Sequence, residues 1–310
     1  MIIAILLFLV GIACLSIGAE ALVKGASNLA RALHILPSII GLTIVAYGTS
    51  LPELLVSVTA MYRGNTGISI GNIIGSNIAN MALVLGISAM IQPLSVHRTA
   101  IKQDLPIMII ALSSFYIFAI NGFLSKLEGM LLLSGFVAYT AFTLYRTMRE
   151  PAENKAARKG RTPLLPNLFL LAVGVVCLAV GTHLAVENAI IIAQRLNVSM
   201  LVIGITLVAV GTSLPELATS VVAAYRKKTD ISVGNIIGSN IFNTLAIGGL
   251  VALIRGISVD QSLIFFSLPI MILLSIVLLP IVADFRITRL EGGTIVVSYI
   301  VYICLMFIYS

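Results

Sequence analysis

The sequence predicts an all-α integral membrane protein: ten transmembrane helices in two inverted five-helix repeats, with the N- and C-termini outside. Three observations carry this expectation. The 310-residue chain is 59% hydrophobic and only 10% charged, with no tryptophan, and its mean hydropathy is +1.11. A soluble chain of that length needs more polar side chains to cover its surface. The sequence also repeats itself at a constant offset of 163 residues, and its basic residues gather in alternate loops.

Apolar stretches of spanning length run roughly over 2–30, 36–62, 68–91, 103–120, 127–145, 165–194, 199–225, 231–254, 262–283 and 291–309. Several exceed the about 20 residues of a perpendicular span, so tilt or interruption is expected. The first stretch lacks a basic start and recurs later as the sixth, which marks a retained span rather than a secretory signal. Near its end Glu20 and Lys24 stand four apart, a spacing that predicts mutual neutralisation along the helix. Cys14, Cys177 and Cys304 all lie in apolar stretches and read as packing residues without a disulfide framework.

With the N-terminus outside, the inward loops collect Arg31, Arg98, Lys102, Arg146, Arg149, Lys155, Arg158, Lys159, Arg161, Arg226, Lys227, Lys228, Arg286 and Arg289. The outward loops hold Arg63, Lys126, Arg195 and Arg255, a distribution of 14 against 4. Basic loops stay cytoplasmic. The net charge of +7 therefore encodes orientation in the cell membrane, not affinity for nucleic acid.

The repeat divides the chain into a first unit, 1–147, a polar cytoplasmic linker, 148–163, and a second unit, 164–310. Residues 40–80 read IGLTIVAYGTSLPELLVSVTAMYRGNTGISIGNIIGSNIAN, and residues 203–243 read IGITLVAVGTSLPELATSVVAAYRKKTDISVGNIIGSNIFN. Five spans per unit is an odd number, so the second unit enters the membrane upside down. Such inverted repeats set a binding site near the midplane, among interrupted helices.

The chemistry lies where the units are most alike. Glu53 and Glu216 fall within spans two and seven, where a carboxylate costs about 2.5–3.5 kcal/mol on insertion scales. Pro52 and Pro215 remove a helical donor beside each and free backbone carbonyls, tolerable in a membrane only where these line a cavity or bind an ion. Ala46, Thr49, Ser50 and Glu53 share one helical face by spacing, and Ala209, Thr212, Ser213 and Glu216 duplicate it. Ser76 with Asn80, and Ser239 with Asn243, add two more faces of oxygen donors. Hard cations such as calcium take six to eight oxygens, and the histidine and cysteine that softer metals prefer are missing from these motifs. A single Thr-Ser pair ordinarily bonds its own backbone, and a single proline ordinarily kinks a helix; duplication around two mid-span glutamates favours ion binding. Gly71 with Gly75, and Gly234 with Gly238, predict close helix packing, and Asn77 and Asn240 predict interhelical hydrogen bonds. No nucleophile with a partner base and no phosphate loop appears, so an enzyme is not expected.

The paired Gly-Thr-Ser-Leu-Pro-Glu and Gly-Asn-Ile-Ile-Gly-Ser-Asn-Ile segments resemble the alpha-repeats of the sodium/calcium exchanger family, within the calcium/cation antiporter superfamily, and the chain is similar to its prokaryotic members. The resemblance implies a ten-helix fold whose long first and sixth helices slide across a core of helices 2–3 and 7–8. It implies sodium and calcium as transported ions, the bilayer as surroundings, no cofactor and no obligate protein partner. Glu53 and Glu216 would be shared ligands of both ions. Thr49, Ser50, Ser76, Thr212, Ser213 and Ser239 would supply oxygens, with the carbonyls of Ala46 and Ala209 at the sodium sites. Potassium-dependent members carry Asp where this chain has Asn243, so its Asn80 and Asn243 imply potassium independence. Two ionised glutamates balance one calcium, and three sodium ions would leave one net positive charge. A proton-coupled calcium exchanger, whose motif puts Asn in place of Thr49 or Ser50, and a passive cation channel are the alternatives.

Overall fold

A computed structural model describes residues 2–148, 163–196 and 209–309. The helices are α1 (Ile2–Leu33), α2 (Pro37–Thr49), α3 (Leu51–Tyr62), α4 (Thr66–Ile91), α5 (Ala100–Ala119) and α6 (Lys126–Met148) in the first half. In the second they are α7 (Leu164–Arg195), α8 (Ala209–Gly211), α9 (Leu214–Tyr225), α10 (Thr229–Arg255), α11 (Leu263–Ile281) and α12 (Arg289–Tyr309). Among the described residues eight helices are long and apolar enough to cross a membrane, and nine spans result if the bent pair α2 and α3 counts as one. The predicted seventh span is described only from Ala209, and most of the 148–163 linker lies outside the described residues.

Helices α4 and α10 form the centre. Of their most apolar windows 78% and 89% is buried, against 22–33% for the other long helices. Their sequences explain this, being rich in Ile, Gly, Ser and Asn without a charged face; a helix that is apolar all round belongs inside a bundle. Ile70, Ile73, Ile74 and Ile78 of α4 pack with Ile236, Ile241 and Ile247 of α10 against Met108, Leu112 and Phe115 of α5. Both central helices widen into π-helical turns, Asn80–Val84 and Phe242–Ile247, and α5 and α11 open on such turns at Ala100–Asp104 and Leu263–Ser267. Turns of this kind are frequent at functional sites.

Small residues allow close crossings between the halves. In α1, Gly11 faces Gly181 and Ala185, Gly18 faces Gly174 and Leu178, and Gly25 faces Asn167 and Leu171. Numbers rise along α1 as they fall along α7, so the two helices run antiparallel. Gly86 of α4 meets Gly292 of α12, while Gly129 of α6 meets Gly249 of α10, so each half supplies a partner to the other. Two short antiparallel strand pairs tie loops across the halves. Leu94–Ser95 (β1) pairs with Arg286–Ile287 (β4), and Phe123–Leu124 (β2) with Ile257–Ser258 (β3).

One expected ion pair is corrected. Glu20 does not neutralise Lys24; it holds Arg226, at the end of α9, through two contacts of 2.9 Å. The planar guanidinium engages both carboxylate oxygens, a geometry that a lysine on the same helix cannot supply. A second pair is partly buried: Arg146 of α6 donates to the buried Asp104 of α5 at 2.8 Å and to Gln103 at 2.9 Å.

A Cβ added to Gly181 would stand 2.7 Å from the Leu15 nitrogen, whereas one added to Gly293 meets nothing within 4 Å. Gly181→Val is therefore expected to cost about 1–3 kcal/mol by overpacking, read as a lowered melting midpoint in detergent. Gly293→Ala, measured alongside, should leave that midpoint unchanged.

Candidate functional site

The site is built on two broken helices. Helix α2 ends at Thr49, α3 begins at Leu51, and their axes bend by 43°. The break falls at Ser50, with φ −86° and ψ 8°, two residues before Pro52, which has no N–H for the preceding turn. The second half repeats this, with Ser213 at the same φ and ψ before Pro215. The spacing argument treated Ala46 to Glu53 as one continuous helical face. Proline instead splits it, so the donors converge through the bend as well as through helical period. The split sets Glu53 and Glu216 in the first turns of α3 and α9, where unpaired N–H groups and the helix dipole favour negative charge.

Both glutamates are fully buried, and their hydrogen bonds cross between the halves. Ser50 Oγ donates to Glu216 Oε1 at 2.7 Å, and Ser213 Oγ lies 3.5 Å from Glu53 Oε1. Ser239 Oγ approaches Glu216 Oε1 at 3.5 Å and the carbonyl of Ala46 at 3.4 Å. Thr49 Oγ1 lies 3.2 Å from the same Ala46 carbonyl, and Ser76 and Thr212 hydroxyls lie 3.4 Å apart. Nine of the twelve residues singled out from the sequence thus fall into two hydrogen-bonded groups that each join both halves: Ala46, Thr49 and Ser50 with Glu216 and Ser239, and Glu53 and Ser76 with Thr212 and Ser213, the latter linked through Asn72. Ala209 is the first described residue after 196 and lies in α8. Asn80 and Asn243 are buried on the π-helical turns but take no part in these bonds.

Several buried polar atoms have no hydrogen-bond partner among the described residues: the Oε2 atoms of Glu53 and Glu216, and both amide atoms of Asn80 and Asn243. Such atoms are costly when unmatched, and all but the amide nitrogens are oxygens of the kind that can ligate a hard cation. Among the described residues no group of three or more His, Cys, Asp and Glu could hold a metal. The donor set is therefore two carboxylates and neutral oxygens, the chemistry of hard cations.

Two expectations about packing divide. Asn77 Nδ2 donates to Thr244 Oγ1 at 2.9 Å, from α4 to α10, and Asn240 Nδ2 reaches Met108 Sδ of α5 at 3.5 Å. Both asparagines bond between helices, as expected. Gly234 and Gly238 press against the backbone of α2 at Ser38 and Leu42, but a Cβ at Gly71 or Gly75 meets nothing within 4 Å. The repeat equivalents of Ser38–Leu42 are residues 201–205, which lie outside the described residues.

Sequence reasoning missed a second layer. Asn72 Oδ1 accepts from Thr212 Oγ1 at 3.1 Å, and Asn235 Oδ1 lies 3.1 Å from Thr49 Oγ1. Behind them, Asn72 Nδ2 donates to Ser57 Oγ at 2.9 Å, and Asn235 Nδ2 to Ser220 Oγ at 3.0 Å. The signal was present, because Asn72/Asn235 and Ser57/Ser220 are duplicated at the same offset of 163.

A membrane bundle whose two halves close buried carboxylates within a shell of neutral oxygens defines a cation transporter. The sodium/calcium exchanger protein family matches residues 3–145 and again 166–308. Sodium/calcium exchanger MaX1 of Methanosarcina acetivorans is 33% identical over 97% of this chain and 98% of its own length. Inner membrane protein YrbG of Escherichia coli is 36% identical over 89% of this chain and 88% of its own. Among solved structures, the sodium-calcium exchanger NCX_Mj superposes with a TM-score of 0.86 at 33% identity, over 98% of this chain and 99% of that one. The chain belongs to the sodium/calcium exchanger family and is a multi-pass integral membrane antiporter.

A ligand that binds only the folded protein stabilises it in proportion to its occupancy. Millimolar calcium is expected to raise the melting midpoint of the purified protein, and Glu53→Gln combined with Glu216→Gln should abolish that rise. An undiminished calcium shift in the double variant would place the bound ion elsewhere.

Proposed function

We propose that the chain exchanges sodium for calcium by alternating access, with three sodium ions for one calcium, net charge movement and no need for potassium. The observation that carries this reading is the crossed pair of bonds from Ser50 to Glu216 and from Ser213 to Glu53, which leaves one oxygen of each carboxylate unpartnered. Glu53 and Glu216 are the shared ligands of both ions. Thr49, Ser50, Ser76, Thr212, Ser213, Ser239 and the carbonyls of Ala46 and Ala209 complete the sodium and calcium shells, with Asn80 and Asn243 at the rim.

The reading includes the ten-helix inverted repeat, with units 1–147 and 164–310 joined by a cytoplasmic linker at 148–163 and both termini outside. The antiparallel crossing of α1 and α7, which are repeat equivalents, supports inversion. So do the two strand pairs: loops 92–102 and 284–290, both assigned inward by the basic-residue count, are joined by one pair, and two loops assigned outward are joined by the other. Because α1 and α7 meet mainly through glycine and small side chains, they are suited to slide as a unit over the central helices, exposing the glutamates to each side in turn.

Charge counting fits the stoichiometry. Two ionised glutamates offset one calcium, and three sodium ions leave one positive charge to cross the membrane. Asn243 adds no charge that could retain potassium.

Three measurements test the proposal. Glu53→Gln or Glu216→Gln, each alone, should reduce sodium-driven calcium uptake in sealed vesicles to background while leaving a folded protein; near-normal uptake would remove that residue from the site. In wild-type vesicles, a clamped potential of 100 mV should bias exchange by about 2.3 kcal/mol per net charge. Uptake indifferent to potential would refute charge movement, a strict potassium requirement would refute the role given to Asn243, and uptake driven equally by a proton gradient alone would favour proton coupling. A single cysteine introduced at 155 should be reached by impermeant reagent only from the cytoplasmic side.

A further inference from the structure

The amide pair behind the ion site carries a further inference, which rests on the sodium/calcium reading above. We propose that Asn72 and Asn235 are positioning residues that point the hydrogens of the Thr212 and Thr49 hydroxyls away from the ions, so that each hydroxyl offers its lone pairs to sodium.

A hydroxyl has one hydrogen and two lone pairs. It can ligate a cation only if that hydrogen is accepted elsewhere. Thr49 Oγ1 has two acceptors within reach, the Ala46 carbonyl at 3.2 Å and Asn235 Oδ1 at 3.1 Å. If the hydrogen goes to Ala46, it occupies a carbonyl on the ion-facing side, which Ser239 also approaches at 3.4 Å. If it goes to Asn235, the Ala46 carbonyl, which already accepts from the Ser50 N–H at 3.0 Å, is spared a further donor. In the other half the hydrogen of Thr212 goes to Asn72 Oδ1 at 3.1 Å, leaving its lone pairs toward Ser76.

Each arrangement works only if the amide presents its oxygen to the threonine. For Asn72, the carbonyl behind the amide fixes that choice. Asn72 Nδ2 donates one hydrogen to Ser57 Oγ at 2.9 Å and the other to the carbonyl of Glu53 at 3.2 Å. A flipped amide would press its oxygen on that carbonyl and lose that bond. Asn235 Nδ2 donates to Ser220 Oγ at 3.0 Å, while the backbone carbonyl of Ser220 is held by Ser232 Oγ at 3.0 Å. Asn235, Ser220, Ser232 and Ser57 are fully buried, so water does not compete for these bonds.

Both threonine contacts also cross the halves. Thr49 of α2 reaches Asn235 of α10, and Thr212, preceding α9, reaches Asn72 of α4. Each half therefore orients a donor of the other. Calcium, held chiefly by the two carboxylates, depends less on the hydroxyls than sodium does. The amides thus bear on sodium affinity more than on calcium affinity.

The test uses purified full-length protein in vesicles, with half-saturating sodium and half-saturating calcium measured separately. Asn235→Leu keeps the volume and removes the acceptor. Sodium half-saturation should rise about two- to tenfold, the range of one net hydrogen bond, while calcium half-saturation changes by less than about twofold on the same scale. In the Asn235→Leu background, Thr49→Val should add little, because the two residues act through one bond. Equal weakening of both ions, full additivity with Thr49→Val, or unchanged sodium half-saturation would each overturn the inference. Should Asn235→Leu not fold, Ser220→Ala, which only releases the amide, should raise sodium half-saturation in the same direction by a smaller factor; no rise would overturn it. Wild-type vesicles without sodium-driven calcium uptake would refute the exchange reading instead. The sodium-dependent melting shift of wild type against Ser220→Ala then judges the positioning role independently, and equal shifts would end it.

Discussion

Two carboxylates buried in a membrane interior impose a constraint that the remaining architecture answers. Each costs about 2.5–3.5 kcal/mol to insert by the mildest scales, and two together repel. The protein meets this with donors fixed in place: serine hydroxyls from the opposite half, and the N-terminal turn of a helix under each glutamate. Those helix starts exist only because a proline breaks the span just ahead. Broken backbone is tolerable at membrane depth only when enclosed by protein, so the breaks in turn require the thick wall that α4 and α10 provide.

That wall is shared. Neither half buries its own glutamate with its own groups, since the bonds to Glu53 and Glu216 come in part from the other half, and the Thr–Asn bonds behind them cross as well. The glycine crossings follow the same logic, α4 against α12 and α6 against α10. A displacement of one half's broken helix therefore changes donors on both carboxylates at once. For a transporter this is useful coupling: the two glutamates are held to a common state rather than titrated or liganded independently.

Away from the centre the halves diverge. Asp104 with Arg146 is a partly buried ion pair at 2.8 Å, yet the repeat equivalent of Asp104 is Ser267, which meets the Tyr302 hydroxyl at 3.3 Å. Glu20 reaches Arg226 from α1, whereas its equivalent in α7, His183, pairs among the described residues with Glu187 on its own helix at 3.5 Å. Packing at the periphery can be satisfied by any well-matched pair, charged or neutral. At the ion site only oxygens at fixed positions serve, and there both copies retain the same residue types.

The sequence by itself determined a membrane protein of repeated halves, because hydropathy and a fixed offset are properties of the chain that no folding can change. It also named the central donors, since glutamate, proline and hydroxyl residues at membrane depth admit few roles, and nine of those twelve fall into two hydrogen-bonded groups that each join both halves. Only tertiary structure decided which half serves which glutamate. The crossing of Ser50 to Glu216 joins residues 166 positions apart, and spacing along one helix carries no information about a partner on another. For the same reason Glu20 was matched to Lys24 by local spacing, when a guanidinium from a neighbouring helix made the better bidentate contact. Asn72 and Asn235 escaped notice because their role depends on which way an amide faces. For Asn72 that is fixed by the Glu53 carbonyl behind it, a contact that forms only when α3 packs on α4.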